Sequence, residues 1–185
     1  IMITIDGGTG KIMHNGVNVA PEIVYDVWQL NTPVVGDDAI IAGSLWTRSS
    51  TTNTNKSGAH TNVGSAMSVD GTGYWTFPSA GKWEVCFSCY WQSLTGTATR
   101  YNESFIYFTQ NNSDYGYISR PAGSVYGDSS GVYDTFQNTV LLDVVDTSTH
   151  KCYFRVDFEE GDSCRLYGGT EFMGTYASFK RISDT

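Results

Sequence analysis

From Trp83 onward the chain alternates strictly. Trp83, Val85, Phe87, Cys89 and Trp91 are apolar, and Lys82, Glu84, Cys86, Ser88 and Tyr90 stand between them. A period of two marks a β-strand with one buried face. Burying each large side chain on that face is worth roughly 1.5–3 kcal/mol, so the face belongs at the centre of a core. The preceding Pro78-Ser79-Ala80-Gly81 is a turn by composition, because proline presets φ and glycine accepts positive φ. Residues 74–77 then read as the incoming strand of a hairpin.

The same alternation recurs in short segments. Residues 24–30 carry Val24, Asp26, Trp28 and Leu30 on one side against Tyr25, Val27 and Gln29, and residues 39–47 form an apolar run with Ile40, Ile41, Leu45 and Trp46. Residues 132–145 place Phe136, Val140, Leu142 and Val144 on one face, residues 152–158 follow with Cys152, Phe154, Val156 and Phe158, and residues 175–182 close the chain. No window has a helical period. About ten short strands separated by turn clusters predict an all-β fold, an antiparallel jelly-roll sandwich over residues 24–185. Residues 103–110 are apolar on both faces, so one face meets the core and the other a second subunit. Tyr90, Ile106 and Phe108 are the candidate contacts between subunits.

Residues 1–23 differ in character. Ile1, Ile3 and Ile5 alternate with Met2 and Thr4, a Gly-rich turn follows, and Asn15-Gly16 is a hairpin dipeptide. Strands this short bury no core alone. The segment is either an edge hairpin of the domain or an arm that docks on another protein or winds with its symmetry mates; the arm reading rests on Ile3, Ile5, Ile12 and Val17. Two polar stretches, residues 48–62 and 120–130, have little to bury. They are idle loops or a recognition surface, with Asn53, Asn55, His60 and Tyr126 as candidates.

Composition narrows the function. A chain of 185 residues is one domain, and 20 glycines, 14% aromatic and only 16% charged residues suit many strands joined by turns. The formal charge of −8 excludes a nucleic-acid or anionic-membrane binder, which needs clustered Lys and Arg. No apolar run approaches the roughly 18 residues of a membrane span, and no basic segment followed by an apolar one marks an export signal. Cys86 and Cys89 point to opposite faces of one strand and do not pair with each other. With Cys152 and Cys164 they are expected to be free, buried thiols, as in a reducing compartment, although a bridge from Cys86 or Cys89 to a later strand stays open. A turn at residues 159–162 would set Cys164 opposite Val156 or Phe158.

Chemistry is sparse. No Gly-x-Ser-x-Gly elbow occurs, and Ser88 and Ser178 lie within strands. His14, His60 and His150 are expected to be solvated, with no ligands at metal spacing. The acidic turns at Asp37-Asp38 and residues 159–162 are hard-oxygen clusters that read as solvated. No enzyme activity, metal or cofactor is expected.

Gly73-Tyr74-Trp75-Thr76-Phe77-Pro78-Ser79-Ala80-Gly81-Lys82-Trp83 resembles the glycine- and aromatic-rich signature of the complement globular-head and tumour-necrosis-factor jelly rolls, and Thr175-Tyr176-Ala177-Ser178-Phe179 resembles their last strand. Asp26-Val27-Trp28-Gln29-Leu30, the run from Leu142 to Lys151, and Arg181-Ile182-Ser183-Asp184-Thr185 are similar to virion proteins of marine tailed phages. The resemblance implies a ten-stranded jelly roll associating about a threefold axis. It further implies a fibre head or capsid decoration protein on the virion surface, a homotrimer held to other virion proteins by its N-terminal arm and contacting host glycans. The alternative is a secreted, complement-like trimeric recognition module binding glycans or proteins.

Overall fold

The computed structural model describes residues 3–5, 12–14, 17–18, 23–35, 39–49, 62–94, 96, 99–125, 131–159, 164–169 and 173–185. Three small strands open the chain, β1 (Ile3–Ile5), β2 (Ile12–His14) and β3 (Val17–Asn18), paired in that order as an antiparallel sheet. The sandwich begins with β4 (Tyr25–Leu30), β5 (Ala39–Ile40), β6 (Trp46–Arg48), β7 (Ser68–Val69) and β8 (Trp75–Thr76). It continues through β9 (Gly81–Ser93), β10 (Thr99–Thr109), β11 (Gly116–Ser119) and β12 (Ala122–Val125), and ends with β13 (Tyr133–Val144), β14 (Lys151–Phe158), β15 (Cys164–Leu166) and β16 (Tyr176–Ser183).

One sheet has the order β13-β9-β16-β4-β6, with β15 also on β9; the other has the order β11-β10-β14-β8-β7, with β12 on β10 and β5 on β14. The fold is thus the expected all-β antiparallel sandwich. Strands outnumber the expected ten because several are pieces of two to four residues that alternation cannot register.

The face read first from the sequence is the centre of the core. Trp83, Val85, Phe87, Cys89 and Trp91 are each 0% exposed. They meet the other sheet ring to ring: Phe87 lies 4.7 Å from Phe154, Trp91 4.9 Å from Phe158, and Trp75 of β8 4.9 Å from Phe179 of β16. Aromatic pairs at such separations add to the burial of their area.

The structure corrects several local expectations. Residues 74–77 and β9 are not two strands of one hairpin: β8 pairs β7 and β14, so the turn at residues 78–80 carries the chain from one sheet to the other. Cys164 lies on β15 opposite Ser93 of β9, not against β14. The run at residues 39–47 divides into β5, a single 3₁₀ turn at Gly43–Leu45, and β6. Part of the expected loop at residues 120–130 is strand β12. His150 is buried rather than solvated, with Phe108 edge-on at 5.7 Å and the Thr149 hydroxyl 3.1 Å from its Nδ1.

Two glycines of the signature have a backbone reason. Gly73 has φ +101°, and a Cβ there would stand 2.3 Å from the Ile41 carbonyl oxygen; Gly81 has φ +146°, with the Ser183 carbonyl oxygen 2.6 Å from a Cβ position. Any side chain at Gly73 must strain or displace the neighbouring strand. Gly73→Ala is expected to lower stability by about 1–3 kcal/mol, read as an earlier urea midpoint at unchanged slope.

Asp26 is a fully buried charge. It faces inward from β4 and is 0% exposed. Its Oδ1 accepts from Arg48 Nε at 2.6 Å, and its Oδ2 accepts from Trp28 Nε1 at 2.8 Å and from the Met67 backbone N–H at 2.7 Å. One carboxylate therefore ties β4, β6 and the segment leading into β7.

Candidate interaction surfaces

Because β9 turns its aromatic residues inward, Lys82, Glu84, Cys86, Ser88, Tyr90 and Gln92 face outward. Register supplies their neighbours. On β13, Thr135, Gln137, Thr139 and Leu141 stand opposite Tyr90, Ser88, Cys86 and Glu84; on β16, Tyr176, Ser178 and Lys180 stand opposite Ser88, Cys86 and Glu84. The middle of this sheet face is therefore uncharged; Lys82, Glu84, Lys180 and Asp143 gather at one end, and Arg165, paired with Gln92, stands at the other.

The other end is aromatic. Tyr90 stacks on Tyr133 at 5.3 Å and meets Tyr167 edge-on at 5.7 Å. Burial and the adjacent Tyr133 and Tyr167 phenols push the Tyr90 hydroxyl above its ordinary pKa. Ser88, Tyr90, Thr135, Met173, Gly174 and Tyr176 line an open depression of about 330 Å³.

Of the three residues expected between subunits, only Tyr90 lies on this face. Ile106 and Phe108 point inward from β10 and are 0% and 8% exposed in the core. The pairing of Ile106 with Phe154 and of Phe108 with Cys152 fixes this, since both partners are core residues of β14. The residues that β10 turns outward are Phe105 and Tyr107. Phe105 is covered by its own chain, with the Arg120 and Arg155 guanidiniums 5.3 and 5.4 Å from its ring and Arg120 paired to Glu103 at 2.7 Å.

In the small N-terminal sheet, Ile3 pairs with His14, Ile5 with Ile12, and His14 with Val17. The four expected arm residues thus lie at linked positions of the backbone register. Ile3 is 67% and Ile12 46% exposed. The expected loop residues Asn53, Asn55, His60 and Tyr126 lie outside the described residues, as does the acidic pair Asp37-Asp38. Among the described residues, no group of three His, Cys, Asp or Glu side chains is placed to hold a metal ion.

The four thiols, Cys86, Cys89, Cys152 and Cys164, are free and buried. Burial pushes the thiols of Cys89, Cys152 and Cys164 up from their ordinary values, away from the reactive thiolate. The native protein is expected to leave Ellman's reagent unreacted in mildly alkaline buffer and to release all four thiols in denaturant; a disulfide in the intact protein's mass would contradict this.

No family model matches the chain, and no curated protein matches it. Solved structures do. Eiger TNF from S. frugiperda superposes with a TM-score of 0.60 at 15% identity, over 89% of this chain and 95% of that one. Murine APRIL at pH 8.5 gives 0.57 at 7% identity, and at pH 5.0 gives 0.56 at 8%, each over 87% of this chain and 100% of that one. The chain has the jelly-roll fold of the tumour-necrosis-factor-like proteins.

Proposed function

We propose that this chain is a non-enzymatic structural protein of a virion surface, a fibre head or capsid decoration protein, that forms a homotrimer and is mounted by its N-terminal arm. The observation that carries self-association is the outward face of the six-stranded sheet. Its small, uncharged centre of Ser88, Cys86, Ser178 and Thr139 lets a second backbone approach, and its tyrosine end supplies the amphipathic rings that dominate protein interfaces. The opposite sheet covers its own Phe105 with two guanidiniums; on this face Arg165 lies 5.3 Å over Tyr167 at the tyrosine end, and the centre around Cys86 and Ser178 is left without a charged cover. The threefold association implied by the signature motif is in keeping with this, and an interface in the large class of roughly 2,000 Å² or more is expected.

The virion assignment draws on the resemblance of the segments around Trp28, Val144 and Ile182, and on four unbridged thiols suited to assembly in a reducing compartment. The arm supports mounting, since Ile3 and Ile12 are exposed on a sheet too small to bury them. The TNF-like fold favours a second reading, a secreted recognition module, which the unbridged thiols count against.

Deleting residues 1–22 tests the assignment. Trimers are expected to persist while the protein disappears from purified particles. Truncated protein still present on particles would refute the arm as the mount.

A further inference from the structure

The outward face of the seven-stranded sheet carries a row of tyrosines that no local sequence pattern announces. Tyr117 of β11 stands opposite Tyr107 of β10, which stands opposite Tyr153 of β14, and Tyr74 at the start of β8 continues the row. Successive rings touch. Tyr117 meets Tyr107 edge-on at 5.9 Å, Tyr107 stacks on Tyr153 at 4.5 Å with 9° between planes, and Tyr153 meets Tyr74 at 5.3 Å. Tyr115 closes the end, 5.1 Å from Tyr74 and 5.2 Å from Tyr153. Four neighbouring strands at roughly 4.8 Å spacing make the row about 14 Å long.

We propose that this row is a binding platform for a neutral oligosaccharide. The chemistry of the face selects that occupant. Each ring in the row ends in a hydroxyl, and the flanking outward residues, Thr76, Thr109, Lys151 and Arg155, are polar-tipped as well. A protein interface is built instead around an apolar anchor in a pocket. Of the apolar side chains on this face, Phe105 is 3% exposed beneath Arg120 and Arg155 and is out of reach, and Ile40, opposite Arg155 and 36% exposed, flanks the row without a pocket around it among the described residues.

Rings combined with hydroxyls match a ligand that itself alternates C–H faces with hydroxyls. Burial pushes the Tyr153 hydroxyl up to about 12 and raises those of Tyr107 and Tyr115 as well. The Arg155 guanidinium donates to the Tyr107 hydroxyl at 3.1 Å and fixes it. Glu103 and Asp157 stand opposite one another and offset the two arginines, so Lys151 alone of the flanking residues adds a positive charge, too little to draw a polyanion.

The row lies on the far side of the sandwich from the proposed trimer face, so self-association leaves it open. The inference rests on the trimer reading only for that orientation.

The test is retention of the full chain on immobilised mannan, laminarin and dextran, with dextran sulfate as the anionic comparison. Retention by a neutral polysaccharide is expected, with Tyr117→Ala and Tyr74→Ala each weakening it about tenfold, the scale of a hot-spot truncation. Tyr133→Ala on the other sheet is expected to leave it unchanged. Molar mass and circular dichroism of each variant show that fold and assembly are retained. Retention by none of the neutral polysaccharides, retention untouched by both ladder variants, or retention by dextran sulfate alone overturns the proposal. A monomer that still binds refutes the trimer and spares the platform; a trimer that does not bind does the reverse.

Discussion

Replacing Ser88 with arginine is expected to convert the proposed trimer into folded single protomers. Ser88 faces outward from the middle of β9, 5% exposed, between Gln137 on β13 and Tyr176 on β16. In a lone protomer an arginine there can extend over the outward face, past Gln137 and Tyr176, into water, so the sandwich survives. In the assembly the guanidinium is trapped in a neutral interface, and symmetry brings in two more like it. An uncompensated buried charge costs about 3–5 kcal/mol, which is about two to nearly four powers of ten in a dissociation constant per site. The expected readout is protomer mass by light scattering with an unchanged strand spectrum. Tyr117→Arg on the opposite sheet is the control and is expected to remain a trimer.

Asp26→Ala carries the largest expected loss of stability, again about 3–5 kcal/mol against a total that for domains of this kind is about 5–15 kcal/mol. The substitution strands the Trp28 indole N–H and the Met67 backbone N–H without an acceptor and removes the counter-charge of Arg48. Asp26→Asn is not expected to rescue, because three donors converge on the two oxygens and the amide nitrogen would face one of them. Arg48→Ala should cost less: its side chain is 37% exposed, and water screens much of the pair. A urea midpoint for Asp26→Ala no lower than that for Arg48→Ala would contradict the view that the carboxylate, not the surface arginine, holds β4, β6 and the approach to β7 together.

The contrast between β9 and β10 shows what the sequence makes legible. In β9 the large apolar residues fall on one side only, so period and burial face follow together, and every inward assignment holds. In β10 both Phe105-Tyr107 and Ile106-Phe108 are apolar, and alternation gives no way to choose; the choice is made by β14, whose Phe154 and Cys152 face the core. Turn chemistry marked a reversal at Pro78-Ser79-Ala80-Gly81, but a turn does not state which sheet the next strand joins, and here it changes sheets. Asp26 sat at a core-facing position of its strand in the alternation, yet its acceptors are filled by residues 2, 22 and 41 positions away, a convergence only folding produces. The tyrosine row has the same origin, since positions 74, 107, 115, 117 and 153 come together only through strand register. The sequence signal was a tyrosine on the outward phase of several strands, readable once their order in the sheet is known.

The central claim is that the neutral outward face of β13-β9-β16 is covered by two further copies of this chain. It is tested most directly by the molar mass of the intact wild-type protein, measured by light scattering at micromolar concentration. The account predicts three times the protomer mass; a stable particle of protomer mass would contradict it.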